Sequence, residues 1–411
     1  MLDTYEKVKN FNHWRRNVHK NSCEILFLMT TECNFRCSYC YEQKYKSEEF
    51  NLNYGYSLID KILEPRKYLT FWKGYFGDKL DRDIVFNFFG GEPLLEVDKM
   101  SKLIDYFEKR CIELHKEYLL DRFSFTFQSN GYLLQTPKVK EFLYKYQKYM
   151  TNEFITIDGC KEMHDACRKT IDGKPTFDVV FKNILWFRKE FPDVVIETKG
   201  TITPSTIKYL YDSVLTYEKA GFDIITITDS VQLRWNKESL KEANSQFKKL
   251  LHHFLKLENA NKRYTRWRAN TEVFQKDIWH TAMCHVGGEG ITLYPDGRLY
   301  ICQMMSPLVM QPENNHDYKI GDINNGISEE GLSLIEDMKG LVDKYQIEHS
   351  KEKCQMCRAR SFCGNCPAYN LKYYNNIEID DKHDCKFTRL EQAYAIVYRY
   401  MFKERYGKEP D

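Results

Sequence analysis

No stretch of the 411-residue chain reaches about 18 consecutive apolar residues, the length a membrane-crossing helix needs. Its first 20 residues, MLDTYEKVKNFNHWRRNVHK, lack the apolar core of a secretory signal peptide. Charge of one sign is also missing, since 61 Lys and Arg stand against 59 Asp and Glu for a net +2. That balance argues against a dedicated nucleic-acid binder or a polybasic membrane protein, both of which depend on clustered positive potential. Internal repeats and low-complexity linkers are absent. A soluble cytoplasmic protein is expected, and its 42 % hydrophobic content can support two or three domains of about 100–250 residues.

Cysteine, by contrast, is plentiful. A reducing cytosol keeps thiols reduced, so 14 cysteines without an export signal point to metal rather than disulfides. Short apolar runs at Glu24–Met29, Asp83–Phe89, Arg122–Gln128, Glu153–Ile157, Val194–Lys199 and Asp223–Thr228 read as six strands. Between them, three- and four-residue apolar spacing predicts helices at Asp98–Tyr118, Thr136–Tyr149, Phe177–Phe191 and Ser205–Ala220. This alternation predicts an α/β fold with a parallel sheet, and polar or glycine-bearing loops at the strand ends mark the rim where such folds bind ligands. After about residue 240 the rhythm stops. Glu238–Leu257 reads as a charged amphipathic helix, Ile291–Ile301 as a hairpin turning at Pro295-Asp296-Gly297, and Thr388–Arg405 as a closing helix. Apart from that hairpin, the chain from Cys284 to the closing helix is expected to be loop-like.

Cys33, Cys37 and Cys40 form Cys-x3-Cys-x2-Cys after the first strand. Three thiolates on a short loop suit three corners of a four-iron cluster and leave the fourth iron open, whereas structural zinc takes four ligands. A zinc knuckle with a distant fourth ligand is the alternative. The segment CNFRCSYC, with Tyr39 before the last cysteine, resembles the signature of the radical S-adenosylmethionine (SAM) enzymes. The resemblance continues through Gly90-Gly91-Glu92-Pro93, Ser129-Asn130-Gly131 and Thr156-Ile157-Asp158-Gly159. It implies a partial (β/α)6 TIM-like barrel. Gly90, Gly91 and Glu92 would receive the amino group of SAM, Ser129, Asn130 and Asp158 would approach its ribose and methionine part, and Tyr39 would lie at the cofactor. Arg168, within MHDACR, resembles the arginine that pairs with the SAM carboxylate.

A second cysteine set comprises Cys284, Cys302, Cys354, Cys357, Cys363, Cys366 and Cys385. A zinc ribbon would use four of these and leave three. The spacing resembles the SPASM extension of radical SAM enzymes, which implies two auxiliary clusters: Cys284, Cys302 and Cys366 on the first, and Cys354, Cys357, Cys363 and Cys385 on the second. Two residues separate Cys363 and Cys366 where the family commonly has three. Of the rest, Cys23 and Cys111 are expected in the core, and Cys160 and Cys167 flank the Arg168 segment.

The expected organisation is an N-terminal segment (1–22), a radical SAM partial barrel (23–235), a helical bridge (236–283) and a cysteine-rich SPASM domain with a small hairpin and helices (284–411). By resemblance the chain holds three [4Fe-4S] clusters and reductively cleaves SAM to a 5′-deoxyadenosyl radical, with electrons from a reductant such as flavodoxin or ferredoxin. Its substrate would be a peptide or protein. Anaerobic sulfatase-maturating enzymes of similar size carry an aspartate after an auxiliary cysteine, whereas Gln303 follows Cys302 and Gln355 follows Cys354 here. The expectation is therefore a maturase that installs a thioether or carbon–carbon crosslink in a ribosomally made peptide. Only 32 residues precede Cys33, so the peptide is expected to dock in the cleft between domains or on a separate leader-peptide-binding protein. Formylglycine generation in a sulfatase, and a non-enzymatic zinc-binding protein, are the alternatives.

Overall fold

The computed structural model describes residues 22–42, 47–75, 82–230, 233–256, 290–310, 317–347, 366–374 and 385–407. Cys284, Cys354, Cys357 and Cys363 lie outside the described residues, as does the bridge beyond residue 256. The barrel half runs β1 (Ser22–Thr30), α1 (Leu52–Leu63), α2 (Leu69–Trp72), β2 (Asp83–Gly90), α3 (Val97–Glu113), β3 (Phe123–Ser129), α4 (Pro137–Tyr146), β4 (Asn152–Ile155), α5 (Lys161–Cys167), α6 (Phe177–Glu190), β5 (Val195–Ile202), α7 (Leu210–Ala220) and β6 (Ile224–Asp229). Helix α8 (Lys237–Phe254) follows, then β7 (Gly290–Leu293), β8 (Arg298–Tyr300), β9 (Gly321–Asp322), β10 (Gly326–Ile327), α9 (Glu329–Ile347), α10 (Pro367–Tyr374) and α11 (Lys386–Tyr406).

All six predicted strands form, parallel and in sequential order, as the alternation of strand and helix signals requires. Side chains alternate across the pleat, so Phe86, Phe88, Phe123, Phe125 and Phe127 share one face. That face meets the helices: Phe86 packs on Phe107 of α3 at 5.2 Å between ring centroids and Phe125 on Phe142 of α4 at 5.4 Å. The opposite face carries Glu24, Asn87, Thr126 and Glu197, and Asn87 Nδ2 donates to Glu24 Oε1 at 3.0 Å. One sheet therefore has a greasy outer face and a polar inner one.

The predicted hairpin is β7–β8, closed by Gly297 at φ +93°, where its N–H donates to Tyr294 O at 3.0 Å. It does not stand apart. Strand β7 pairs in parallel with β1, from Glu24↔Gly290 to Phe27↔Leu293, so one 10-stranded sheet spans both halves of the chain. Cys302 is thereby tied to the sheet that carries Cys33.

The expectation of a loop-like segment after Cys284 is corrected by β9, β10, α9 and α10. Helix α9 was hidden by Gly331 and Gly340, which weaken a helical reading. Gly331 is required by packing, since a Cβ there would stand 2.0 Å from Ile320 O. The closing helix α11 lies along α8, with Trp235 stacked on Phe387 at 4.1 Å and Tyr394 Oη donating to Asn244 Oδ1 at 3.0 Å. Among the described residues no helix is long and apolar enough to cross a membrane.

Phe86 contacts Phe27, Phe107 and Phe123 at 5.0, 5.2 and 4.9 Å between centroids. Phe86→Ala is expected to lower unfolding free energy in urea by about 3–5 kcal/mol through the cavity it leaves, whereas exposed Val179→Ala changes it by less than about 0.5 kcal/mol.

Candidate active site

The ends of β1 to β4 converge on the loop that carries Cys33, Cys37 and Cys40. Gly90 and Gly91 bring the end of β2 against the start of that loop: Gly91 N–H donates to Thr30 O at 3.0 Å and Glu92 N–H to Glu32 O at 2.9 Å. A Cβ on Gly90 would stand 2.3 Å from Thr30 O, and one on Gly91 2.2 Å from Glu32 O, so only glycine permits this approach. Farther along, Arg36 N–H donates to Lys169 O at 2.8 Å and Ser38 N–H to Cys167 O at 3.0 Å, which fastens the loop to the segment carrying Arg168. Phe35 is wholly buried and meets Tyr132 edge-on at 5.5 Å.

Around the thiols the donors are local. Phe35 N–H points to Cys33 Sγ at 3.4 Å and Asn130 Nδ2 to the same sulfur at 3.9 Å. Among the described residues no three His, Cys, Asp or Glu side chains converge on an ion-sized point, and a four-iron cluster instead takes one thiolate at each of several corners.

Glu92 is fully buried and accepts three hydrogen bonds, from Ser129 Oγ at 2.9 Å, Asn130 N–H at 2.8 Å and Leu94 N–H at 3.1 Å. A carboxylate has about four acceptor sites, so one remains. Burial pushes its pKa up to about 7 despite those donors and nearby Arg168. Ser129 and Asn130, predicted to approach SAM, thus spend their donors on Glu92 and the cysteine loop, and Asn130 Nδ2 also reaches Asn34 Oδ1 at 2.8 Å.

Arg168 Nε lies 3.0 Å from Asp158 Oδ2, with both side chains almost wholly out of solvent. Tyr39 donates its hydroxyl to the same carboxylate oxygen, and the guanidinium lies 5.6 Å from the Tyr39 ring centre. Thr201 N–H donates to Asp158 Oδ1 at 3.1 Å. The buried Arg168 Nε–H has no acceptor in line, leaving the guanidinium capacity for a further carboxylate. Behind the pair, Asp158 N–H donates to His164 Nδ1 at 3.2 Å. That assigns the proton of the neutral ring to Nε2, 3.0 Å from Thr176 Oγ1, whose hydroxyl donates to Arg168 O at 2.9 Å. Burial, reinforced by the cations Arg168 and Lys161, holds the His164 pKa well below its ordinary value.

A family model described as the radical SAM superfamily matches residues 27–214. Residues 27–214 are a radical SAM domain. The serine-type anaerobic sulfatase-maturating enzyme of Bacteroides thetaiotaomicron is 31 % identical over 158 residues, 38 % of this chain and 34 % of that protein. The radical SAM cyclopropyl synthase TigE of Paramaledivibacter caminithermalis is 21 % identical over 401 residues, 92 % of this chain and 76 % of that protein. A solved structure of native anSMEcpe with bound AdoMet and a Cp18Cys peptide shares the fold at a TM-score of 0.63, with 16 % identity, covering 93 % of this chain and 96 % of that one.

The match to the radical SAM superfamily implies a [4Fe-4S] cluster and SAM, and the residues present fit both. Three cysteines lie on one loop, and the zwitterionic head of an amino acid would find a cation in Arg168 and a remaining acceptor site on Glu92. Of the second set, Cys302 caps a turn and accepts from Met304 N–H at 3.4 Å, while Cys366 opens α10 and accepts from Tyr369 N–H at 3.5 Å. Both bear electrostatically on the half-buried Tyr41, next to Cys40. Cys385 immediately precedes α11. Cys23 and Cys111 are buried in the core, and burial raises the thiol pKa of Cys160 and Cys167.

Sequence reasoning missed the supporting groups. Asn183 of α6 donates at 2.9 Å to both Gly131 O and Tyr132 O, holding the β3 turn. The His164–Thr176 link is equally silent, because an isolated His or Asn in a helical pattern carries no motif.

Two outcomes follow from these geometries. A Glu92 pKa near 7 in the fold, above the unfolded 4.5, means that the folded state holds the proton more tightly. The stabilisation is full below the unfolded value and declines as pH rises through the folded one. Urea unfolding of the cluster-free protein should therefore lose about 2 kcal/mol between pH 5.5 and 7.5 through this group, and Glu92→Gln should lack that component. Arg168→Lys keeps the charge and loses the fork, and should weaken SAM binding to the reconstituted protein, measured by equilibrium dialysis, by about tenfold or more.

Proposed function

We propose that the chain is a radical SAM maturase that oxidatively modifies a ribosomally made peptide, installing a thioether or carbon–carbon crosslink. The cluster and SAM supply hydrogen-atom abstraction from an unactivated carbon. Within the chain, Arg168 and Glu92 orient the amino-acid head of SAM, Tyr39 and Asp158 hold Arg168, and the buried Phe35–Tyr132 contact keeps water from the loop. Two further [4Fe-4S] clusters would take the electron released on oxidation: Cys284, Cys302 and Cys366 on the first, and Cys354, Cys357, Cys363 and Cys385 on the second. The reductant would be of the flavodoxin or ferredoxin class. The peptide would enter between barrel and C-terminal segment or be delivered by a separate leader-binding protein, all in the cytoplasm.

The observation that carries the choice of reaction is Gln303. Cys302 Sγ–H points to its Oε1 at 3.5 Å, so the side chain beside this cysteine is an amide. An amide cannot take up a proton near neutral pH, and the carboxylate that sulfatase-maturating enzymes carry after an auxiliary cysteine is absent here. The relatedness to sulfatase-maturating enzymes supports a peptide or protein substrate in either case.

The test is anaerobic incubation with SAM, reductant and the short peptide encoded beside this chain, read by tandem mass spectrometry. Loss of two hydrogens, with fragmentation silenced between the joined residues, is the expected product. An aldehyde that reacts with hydrazine would instead give the formylglycine reading. Cys37→Ala should abolish 5′-deoxyadenosine formation, while Cys302→Ala and Cys363→Ala retain uncoupled formation and lose peptide product; equal total loss in folded variants would contradict this division.

A further inference from the structure

One side chain bridges the cysteine loop and the C-terminal segment. Lys372, half-buried on the last turn of α10, donates to Val309 O at 2.7 Å and to Tyr41 O at 3.4 Å. Tyr41 follows Cys40 directly, Val309 lies in the turn just after Cys302, and Lys372 stands on the helix that Cys366 opens. One ammonium therefore ties the residue after Cys40 to the segments that follow Cys302 and Cys366. Burial opposes its charge, and Cys40 is the nearby group that favours it.

We infer that Lys372 is a positioning residue for the radical SAM cluster, bolting its loop to the Cys302–Val309 turn and setting an ammonium against the carbonyl of Tyr41, the residue after Cys40. A reduced cluster is one unit more negative than an oxidised one, so a cation in a partly dehydrated setting favours reduction. Arginine could preserve the charge and donate to both carbonyls; methionine of similar length could do neither. The inference rests on the radical SAM cluster and is independent of the peptide substrate proposed above.

The experiment is an EPR-monitored redox titration of the anaerobically reconstituted full chain, following the cubane signal that changes when SAM is added. Lys372→Met and Lys372→Gln should lower the midpoint potential, so that at a poise that half-reduces the wild type the reduced-to-oxidised ratio falls about tenfold, while Lys372→Arg stays near wild type. Iron and sulfide counts accompany each sample, and where Lys372→Met fails to assemble its cluster, Lys372→Gln carries the test. Unchanged potential in the neutral variants, or an equal fall in Lys372→Arg, would overturn the inference. A wild type with no SAM-responsive cubane would overturn the radical SAM site itself and the inference with it.

Discussion

The site depends on a charge pair sealed inside the barrel rim. Arg168 and Asp158 neutralise one another where solvent barely reaches, and removing either partner would leave the other unpaired at a cost of about 3–5 kcal/mol. That cost keeps the arrangement intact. Asp158 is in turn fixed by Tyr39, the residue before Cys40, and by the backbone of β5, while the carbonyl of Arg168 is held by Thr176. The cation that suits a carboxylate and the loop that suits a cluster are therefore parts of one hydrogen-bonded body.

Glu92 completes the complement with opposite chemistry. It is buried, and three donors hold its carboxyl in one orientation. A pKa near 7 makes it a poised group, ready to become a full anion when an ammonium arrives. The preorganisation is carried by strand ends, which are rigid because the sheet behind them is a continuous aromatic core.

Much of this was legible in the chain, and the reasons are physical. Strand and helix periodicity revealed β1 to β6, since buried parallel strands are short apolar runs that stop at polar turns. Gly90 and Gly91 were informative because backbone meets backbone there, and Arg168 because of its place in a familiar motif. The pairing of β7 with β1 was not legible, because nothing local in Gly290–Leu293 specifies a partner more than 250 positions away. Helix α9 was hidden by two glycines, of which Gly331 is required by its contact with Ile320 and Gly340 by no neighbour. His164, Asn183 and Lys372 were invisible as parts of the site, since each acts on a backbone atom brought near only by the fold. The roles of the second cysteine set rest on spacing, with Cys302, Cys366 and Cys385 described and the other four outside the described residues.

The central claim is that the Cys33–Cys40 loop holds a cluster with one iron open to the amino-acid head of SAM. The most direct measurement is electron–nuclear double resonance on the anaerobically reduced protein with SAM labelled in its amino nitrogen and carboxylate oxygen. The account predicts hyperfine coupling from both labels to the cluster. A colourless protein carrying stoichiometric zinc, or a cubane with no coupling to either label, would contradict it.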